Sequence, residues 1–184
     1  YLHINNLSVV GPNKWFDAGD KRFAPDNLLL DSRNSNFIAI IDKASGKVVW
    51  HLGPNLPTIN PKTAQQVPRP LDQFVGQHDV HIVPAGLPGA GNLMVFDNQG
   101  TAGYLPAPRG LTQGARVVEI DPSKEQGVWQ YTAASTKQPA WAVHSSISIS
   151  ARRLPNGDML IDVGKNGRCF QVPDKGAIVW GYVG

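Results

Sequence analysis

The chain has 184 residues, 41% of them apolar and 17% charged, enough for a domain with its own core and too apolar for a disordered one. Its formal charge of +3 comes from 17 Lys and Arg scattered along the sequence; this disfavours the basic stripe of a nucleic-acid binder, and no apolar run approaches the ~18 residues of a membrane-spanning helix. Gly (19) and Pro (15) against two Glu predict turns and strands rather than long helices, and a single cysteine, Cys169, excludes an internal disulfide and a Cys-based zinc site.

Read in chain order, one grammar recurs three times. The first unit runs Asn27-Leu-Leu-Leu-Asp31, Phe37-Ile-Ala-Ile-Ile-Asp42 and Gly46-Lys-Val-Val-Trp50. The second runs Asn92-Leu-Met-Val-Phe96, Ala115-Arg-Val-Val-Glu-Ile-Asp121 and Gly127-Val-Trp129-Gln-Tyr131. The third runs Asp158-Met-Leu-Ile161, Arg168-Cys-Phe-Gln-Val172 and Gly176-Ala-Ile-Val-Trp180. Each run is short, rich in β-branched or aromatic residues and bounded by Gly, Asn, Asp or Pro, which are strand signals. Lys43-Ala-Ser-Gly46 and Pro173-Asp-Lys-Gly176 supply hairpin chemistry. The middle run of each unit is apolar almost throughout, as expected of a strand buried on both faces.

A further strand is expected before each unit, starting at a histidine. His78 lies 14 residues before Asn92 and His144 lies 14 before Asp158, while His3 lies 24 before Asn27 because Gly11–Pro25 adds a loop. Four-stranded units stacked on copies of themselves make the blades of a β-propeller, so the fold expected is all-β, a β-propeller, of which three blades are visible. The expected boundaries are a blade over 1–53 with an inserted loop at 11–25, a loop insertion over 54–75, a blade over 76–143 with a loop at 99–114, and a blade over 144–184. Three blades fall short of the ~4–8 that close a ring, so the sequence is expected to be part of a longer protein.

The innermost strands would line a central channel, bringing His3, His78 and His144 towards one axis. In Gly76-Gln-His-Asp-Val-His81, strict strand alternation puts His78 and His81 on opposite faces, which argues against joint metal ligation. His81 is then expected to bond Asp79 or a neighbouring blade. Asn5 follows His3 by two residues and shares its face, and Arg33 ends the second strand of the same unit. A histidine, an amide and a guanidinium converging on a channel make an oxyanion site suited to a sulfuryl or phosphoryl group. At the position of Arg33 the other units carry Asn98 and Gly164. The bland alternative is a hydrogen-bonded polar channel with no chemistry, a non-catalytic binding or scaffold propeller. Phe74, Tyr104 and Trp141 are available to stack an aromatic ligand or to pack.

These stretches resemble the bacterial arylsulfotransferases (aryl-sulfate sulfotransferases). The resemblance rests on Gly76-Gln-His-Asp79, on Gly86-Leu-Pro-Gly-Ala-Gly-Asn-Leu-Met-Val-Phe-Asp-Asn98, on His3-Ile-Asn5 with Asp31-Ser-Arg33, and on Arg153-Leu-Pro-Asn-Gly157. It implies a six-bladed propeller that moves a sulfuryl group from an aryl sulfate to a phenol by ping-pong chemistry. No nucleotide sulfate donor, cofactor or metal is implied. The family's nucleophilic histidine, which carries the group as a sulfohistidine, matches His78. His3 and Arg33 match its sulfate-binding residues, Asn5 matches its amide, and Gln77 and Asn98 fall in the substrate-binding set. Partners implied are small aryl sulfates and phenols, without nucleic acid or a membrane span and with a homo-oligomer left open; an exported, periplasmic or secreted location goes with them. The family often has Ser-Ser where Asp31-Ser32 stands, and a further family histidine comes from an earlier blade. A quinone-dependent propeller dehydrogenase is disfavoured, since the channel positions hold no acidic, calcium-binding cluster.

Overall fold

Alternating apolar runs separated by Gly and Asx turns fold into antiparallel meanders. The computed structural model describes residues 2–53, 74–98, 114–145 and 147–184. The first sheet holds β1 (Ile4–Val9), β2 (Leu28–Ser32), β3 (Phe37–Ile41) and β4 (Val48–Leu52) in sequential order. The second holds β5 (His78–Ile82), β6 (Leu93–Asp97), β7 (Arg116–Asp121) and β8 (Gln126–Thr132). β9 (Ile149–Arg153), β10 (Met159–Val163), β11 (Arg168–Val172) and β12 (Trp180–Val183) form the third. All three sheets are antiparallel and four-stranded, so the expected all-β class and the blade-like units hold. β5 contacts β1 and β2 of the first sheet and β9 of the third, so the first strands of the sheets run as neighbours.

The second sheet is covered on both faces. Leu93, Val95, Val118 and Ile120 join Leu29, Ile38, Ile40 and Trp50 of the first sheet in one core. Met94, Phe96, Val117 and Tyr131 join Ala151, Ile161 and Phe170 of the third in another. Every residue of β6 is buried. Each fully buried Val, Leu, Ile or Phe contributes about 1.5–3 kcal/mol. Polar clasps cross the same seams: the Trp50 indole N–H donates to the Pro122 carbonyl (3.0 Å) and that of Trp129 to the Asp174 carbonyl (3.3 Å). Both tryptophans sit on the outer strand of one sheet, and both carbonyls lie in the turn before the outer strand of the next.

Two expectations about local structure are corrected. The segment read as a loop at 11–25 is ordered: a helical turn, α1 (Lys14–Asp17), follows the Asn13 cap, and a 3₁₀ turn, Lys21–Phe23, follows the Asp20 cap. Their purpose is packing, since Phe23 is fully buried against Trp50 and Trp15. Only β5 begins at a histidine. His3 precedes β1 by one residue, and His144 caps a 3₁₀ turn (Ala140–Val143) five residues before β9, where it is exposed. The chain before β9 is taken up by two 3₁₀ turns, so equal spacing in sequence does not give equal position. Of the other two insertions, 54–73 and 99–113 lie outside the described residues.

Candidate functional site

His78 opens β5, and three of the four residues before it are tied to the first two sheets by hydrogen bonds. The Val75 N–H donates to the Asp97 carboxylate (2.9 Å), and the Gly76 N–H to the Asn36 side-chain oxygen (2.9 Å). The Gln77 amide nitrogen donates to the carbonyls of Ser32 (3.0 Å) and Phe37 (2.9 Å), while the Gln77 carbonyl accepts from the Asn5 side chain (3.0 Å). Gln77 is fully buried. It therefore staples the second sheet to the first beneath the site, and Asn5 bonds the backbone of that staple.

The His78 ring is half-buried, and its Nδ1 faces two oxygens: Asn98 Oδ1 at 2.7 Å and the Gly76 carbonyl at 3.0 Å. The other end of the Asn98 amide donates to the Ser145 carbonyl (2.7 Å), so the oxygen is the atom turned to the ring. Oxygens of carbonyl and amide only accept, so Nδ1 carries the hydrogen and the lone pair is left on Nε2. Burial pushes the imidazole below its ordinary pKa; the two hydrogen bonds oppose this, and the charges of Arg33 and His3 add to the lowering. The ring is thus held neutral at pH 7. Asn98, fully buried and bonded at both ends, lies behind the ring.

Arg33 directly follows β2, and its backbone N–H donates to the His3 carbonyl (3.0 Å), which brings the two residues to one end of the first sheet. Both act electrostatically on His78. His3, Asn5, Arg33, Gln77, His78 and Asn98 therefore gather at one end of the seam between the first two sheets. The position after the second strand is Arg33, Asn98 and Gly164 in turn. Gly164 has a steric reason: its N–H bonds Ser148 O (3.0 Å), and a Cβ there would lie 2.6 Å from that oxygen.

Strict alternation fails in β1 and β5. The register shifts between Ile4 and Asn6 in β1 and between His78 and His81 in β5. His78 pairs with Phe96 and His81 with Met94, so the two histidines share a face that alternation had divided. The cause is an extra residue, Asp79, in the left-handed region (φ 57). His3 (φ 51) and Ser148 (φ 51) take the same conformation at the starts of the other two sheets. Such a conformation costs a non-glycine residue about 1–3 kcal/mol and persists where its surroundings over-determine it. Asp79 is over-determined by the third sheet: its carboxylate accepts from the Ala151 N–H (2.8 Å) and pairs with Arg152. His81 Nδ1 meets the Asp79 carbonyl (2.9 Å) and Arg152 (3.3 Å), as expected of a residue bonding its neighbouring blade. Among the described residues no group of three or more His, Cys, Asp or Glu could hold a metal ion.

Two features escaped sequence reasoning. Asp31, opposite Asn6 in β2, is fully buried, with neither carboxylate oxygen meeting a donor in hydrogen-bond geometry. Burial pushes its pKa up to about 7, the Asp79 charge adds to this, and backbone N–H groups only partly offset it. A lone acid within a Leu-Leu-Leu strand was the available signal. The second feature is the pair of backbone carbonyls, Gly76 and Ser145, that set the histidine ring; main-chain groups leave no residue-type signature. Of the aromatic candidates, Phe74 is buried in the core, Trp141 is 72% exposed, and Tyr104 lies outside the described residues.

The family model described as "Arylsulfotransferase (ASST)" matches residues 1–184. No curated protein matches. Among solved structures, the chain is similar to a crystal structure of a protein of unknown function from Bacteroides caccae, with 12% identity and a TM-score of 0.43. That alignment covers 85% of this chain and 42% of the other, so the chain spans less than half of the protein it matches.

Proposed function

Because the chain belongs to the arylsulfotransferase family, we propose that it forms half of a six-bladed propeller which transfers a sulfuryl group from an aryl sulfate to a phenol, with His78 as the nucleophile. The observation that carries this reading is the environment of the His78 ring: hydrogen on Nδ1, facing two oxygens, and a lone pair on Nε2. A neutral imidazole is a competent nucleophile near pH 7.

In the first half-reaction Nε2 attacks the sulfur of the aryl sulfate. The N–S bond forms as the S–O bond to the ring breaks, and the phenolate departs with the electron pair. Its conjugate acid has a pKa of about 10, so it leaves without a metal, and His3 or water protonates it. The sulfuryl-bearing ring gains positive charge, which Asn98 Oδ1 and the Gly76 carbonyl stabilise through Nδ1–H. Arg33 and Asn5 hold the three non-bridging oxygens, whose charge is then met by preorganised donors. In the second half-reaction an acceptor phenol gives its proton to His3 or water and attacks the same sulfur; the O–S bond forms as the N–S bond breaks, and His78 returns to its neutral form. The two-step course gives ping-pong kinetics without a nucleotide donor or cofactor. An exported location fits a family whose members are commonly exported.

The test is incubation with 4-nitrophenyl sulfate, with and without a phenol acceptor. Nitrophenolate release should depend on the acceptor, and without it the sulfuryl group should be found by mass spectrometry on the peptide carrying His78. His78→Ala should abolish both. Undiminished transfer or labelling in His78→Ala overturns the assignment.

A further inference from the structure

We propose that Asn98 is a positioning residue: held one way round by the backbone carbonyl of Ser145, its amide keeps the His78 ring with hydrogen on Nδ1 and the lone pair on Nε2. The inference rests on the reading of His78 as nucleophile, and it adds what decides which ring nitrogen is free.

An asparagine amide has two nearly isosteric ends, and both can bond an imidazole nitrogen. With oxygen towards the ring, Nδ1 must donate; with nitrogen towards it, Nδ1 must accept, which moves the hydrogen to Nε2 and removes the lone pair needed for attack. Something must choose between the two. The Ser145 carbonyl does so, because it accepts only, at 2.7 Å from Asn98 Nδ2. Flipping Asn98 would set two oxygens against each other in a site where Asn98 and Ser145 are both fully buried, and an unsatisfied buried acceptor costs about 1–3 kcal/mol. Ser145 is itself held, since its hydroxyl bonds the Ile147 carbonyl. The Gly76 carbonyl, at 3.0 Å, favours the same tautomer from within the strand, but it lies farther from Nδ1 than the Asn98 oxygen at 2.7 Å. The chain of bonds therefore runs from the segment preceding the third sheet, through the end of β6, to the first residue of β5. It assigns Asn98 to the back of the ring rather than to the substrate side.

Two variants test it, read by ¹⁵N NMR of the His78 ring and by the pH dependence of transfer. Asn98→Leu keeps the volume and removes both bonds. The ring should lose its single tautomer, and kcat should fall by about 10²-fold with a smaller change in KM, inside the ~10⁴-fold that a wrong histidine tautomer costs a Ser-His-Asp triad. Asn98→Asp turns an oxygen to the ring, which should keep hydrogen on Nδ1, and sets its other oxygen against the Ser145 carbonyl, losing the bond that the amide nitrogen made. Its carboxylate should favour the imidazolium and move the acid limb of the pH–rate profile to higher pH by about one unit. A single Nδ1–H tautomer persisting in Asn98→Leu, or an unmoved acid limb in Asn98→Asp, overturns the proposal. Should Asn98→Leu not fold, the Asn98→Asp profile alone decides, and a merely structural role would leave that profile in place. The tautomer reading does not depend on turnover. If His78→Ala retains full transfer, the functional reading fails, while the spectrum still decides what Asn98 does.

Discussion

Replacing Asp31 by Asn should make the protein markedly less sensitive to alkaline pH. The carboxyl is fully buried on β2 with no donor in hydrogen-bond geometry, and its pKa is pushed from an ordinary 3.8 up to about 7. The folded state therefore holds a proton that the unfolded chain releases, so stability from this group is complete below pH 3.8 and declines as pH rises towards 7. The difference of 3.2 units corresponds to about 4 kcal/mol over the whole range at 1.36 kcal/mol per unit. Between pH 5 and pH 8 the loss is about 2.5 kcal/mol, because part of it has already occurred by pH 5. An amide does not titrate, so Asp31→Asn carries the same burial at every pH. Urea unfolding of both proteins at pH 5, 6.5 and 8 measures the effect. The gap between them should shift in favour of Asp31→Asn by about 2.5 kcal/mol from pH 5 to 8, and titrations common to both proteins cancel. Parallel pH–stability lines would refute the reasoning and place a donor on the carboxylate.

Sulfuryl transfer should fall as pH drops below about 6.5, with its midpoint under that value because burial keeps the His78 imidazole neutral; an initial-rate profile at saturating donor checks this. Arg153→Met should cost about 3–5 kcal/mol, since it leaves the buried Glu119 charge, with which Arg153 pairs, held by the neutral Asn92 amide. Adding Glu119→Gln should recover much of that loss, as chemical denaturation of the single and double variants will show. Phe23→Ala should cost about 3–5 kcal/mol, because the fully buried ring plugs the first core from an insertion rather than from a sheet; the thermal midpoint reads it directly.

The sheets were legible because the signals that define them are local. Asn27, Asn92 and Asp158 each precede an apolar strand, and Asp42 and Asp121 open the outer hairpins at equal distances from Trp50 and Trp129. The gathering of His3, Arg33 and His78 was legible for a related reason, since equivalent positions in repeated sheets meet at one end. Orientation was not. An alternation argument assumes an unbroken ladder, and the left-handed Asp79 reverses which face His81 takes. Nor could His144 be placed, because residues spent on 3₁₀ turns are indistinguishable by spacing from residues spent on a strand. Asn98 and Gln77 carry side chains suited to meeting substrate. Only the bonds at both ends of Asn98, and the burial of Gln77, turn them inward.

The tryptophans that clasp the seams also make the molecule report on itself. Trp50 is 3% exposed in the seam between the first two sheets, whereas Trp180 is 50% exposed and Trp141 72%. Indole emission moves to longer wavelength as water reaches the ring, so Trp50 lies at the blue edge of the spectrum, the exposed rings at the red edge, and the half-buried Trp15 and Trp129 between them. Opening the seam beside His78 would erase the blue edge and leave the red one unchanged. One spectrum therefore separates loosening of the seam that carries the histidine from motion elsewhere in the chain, with no label added.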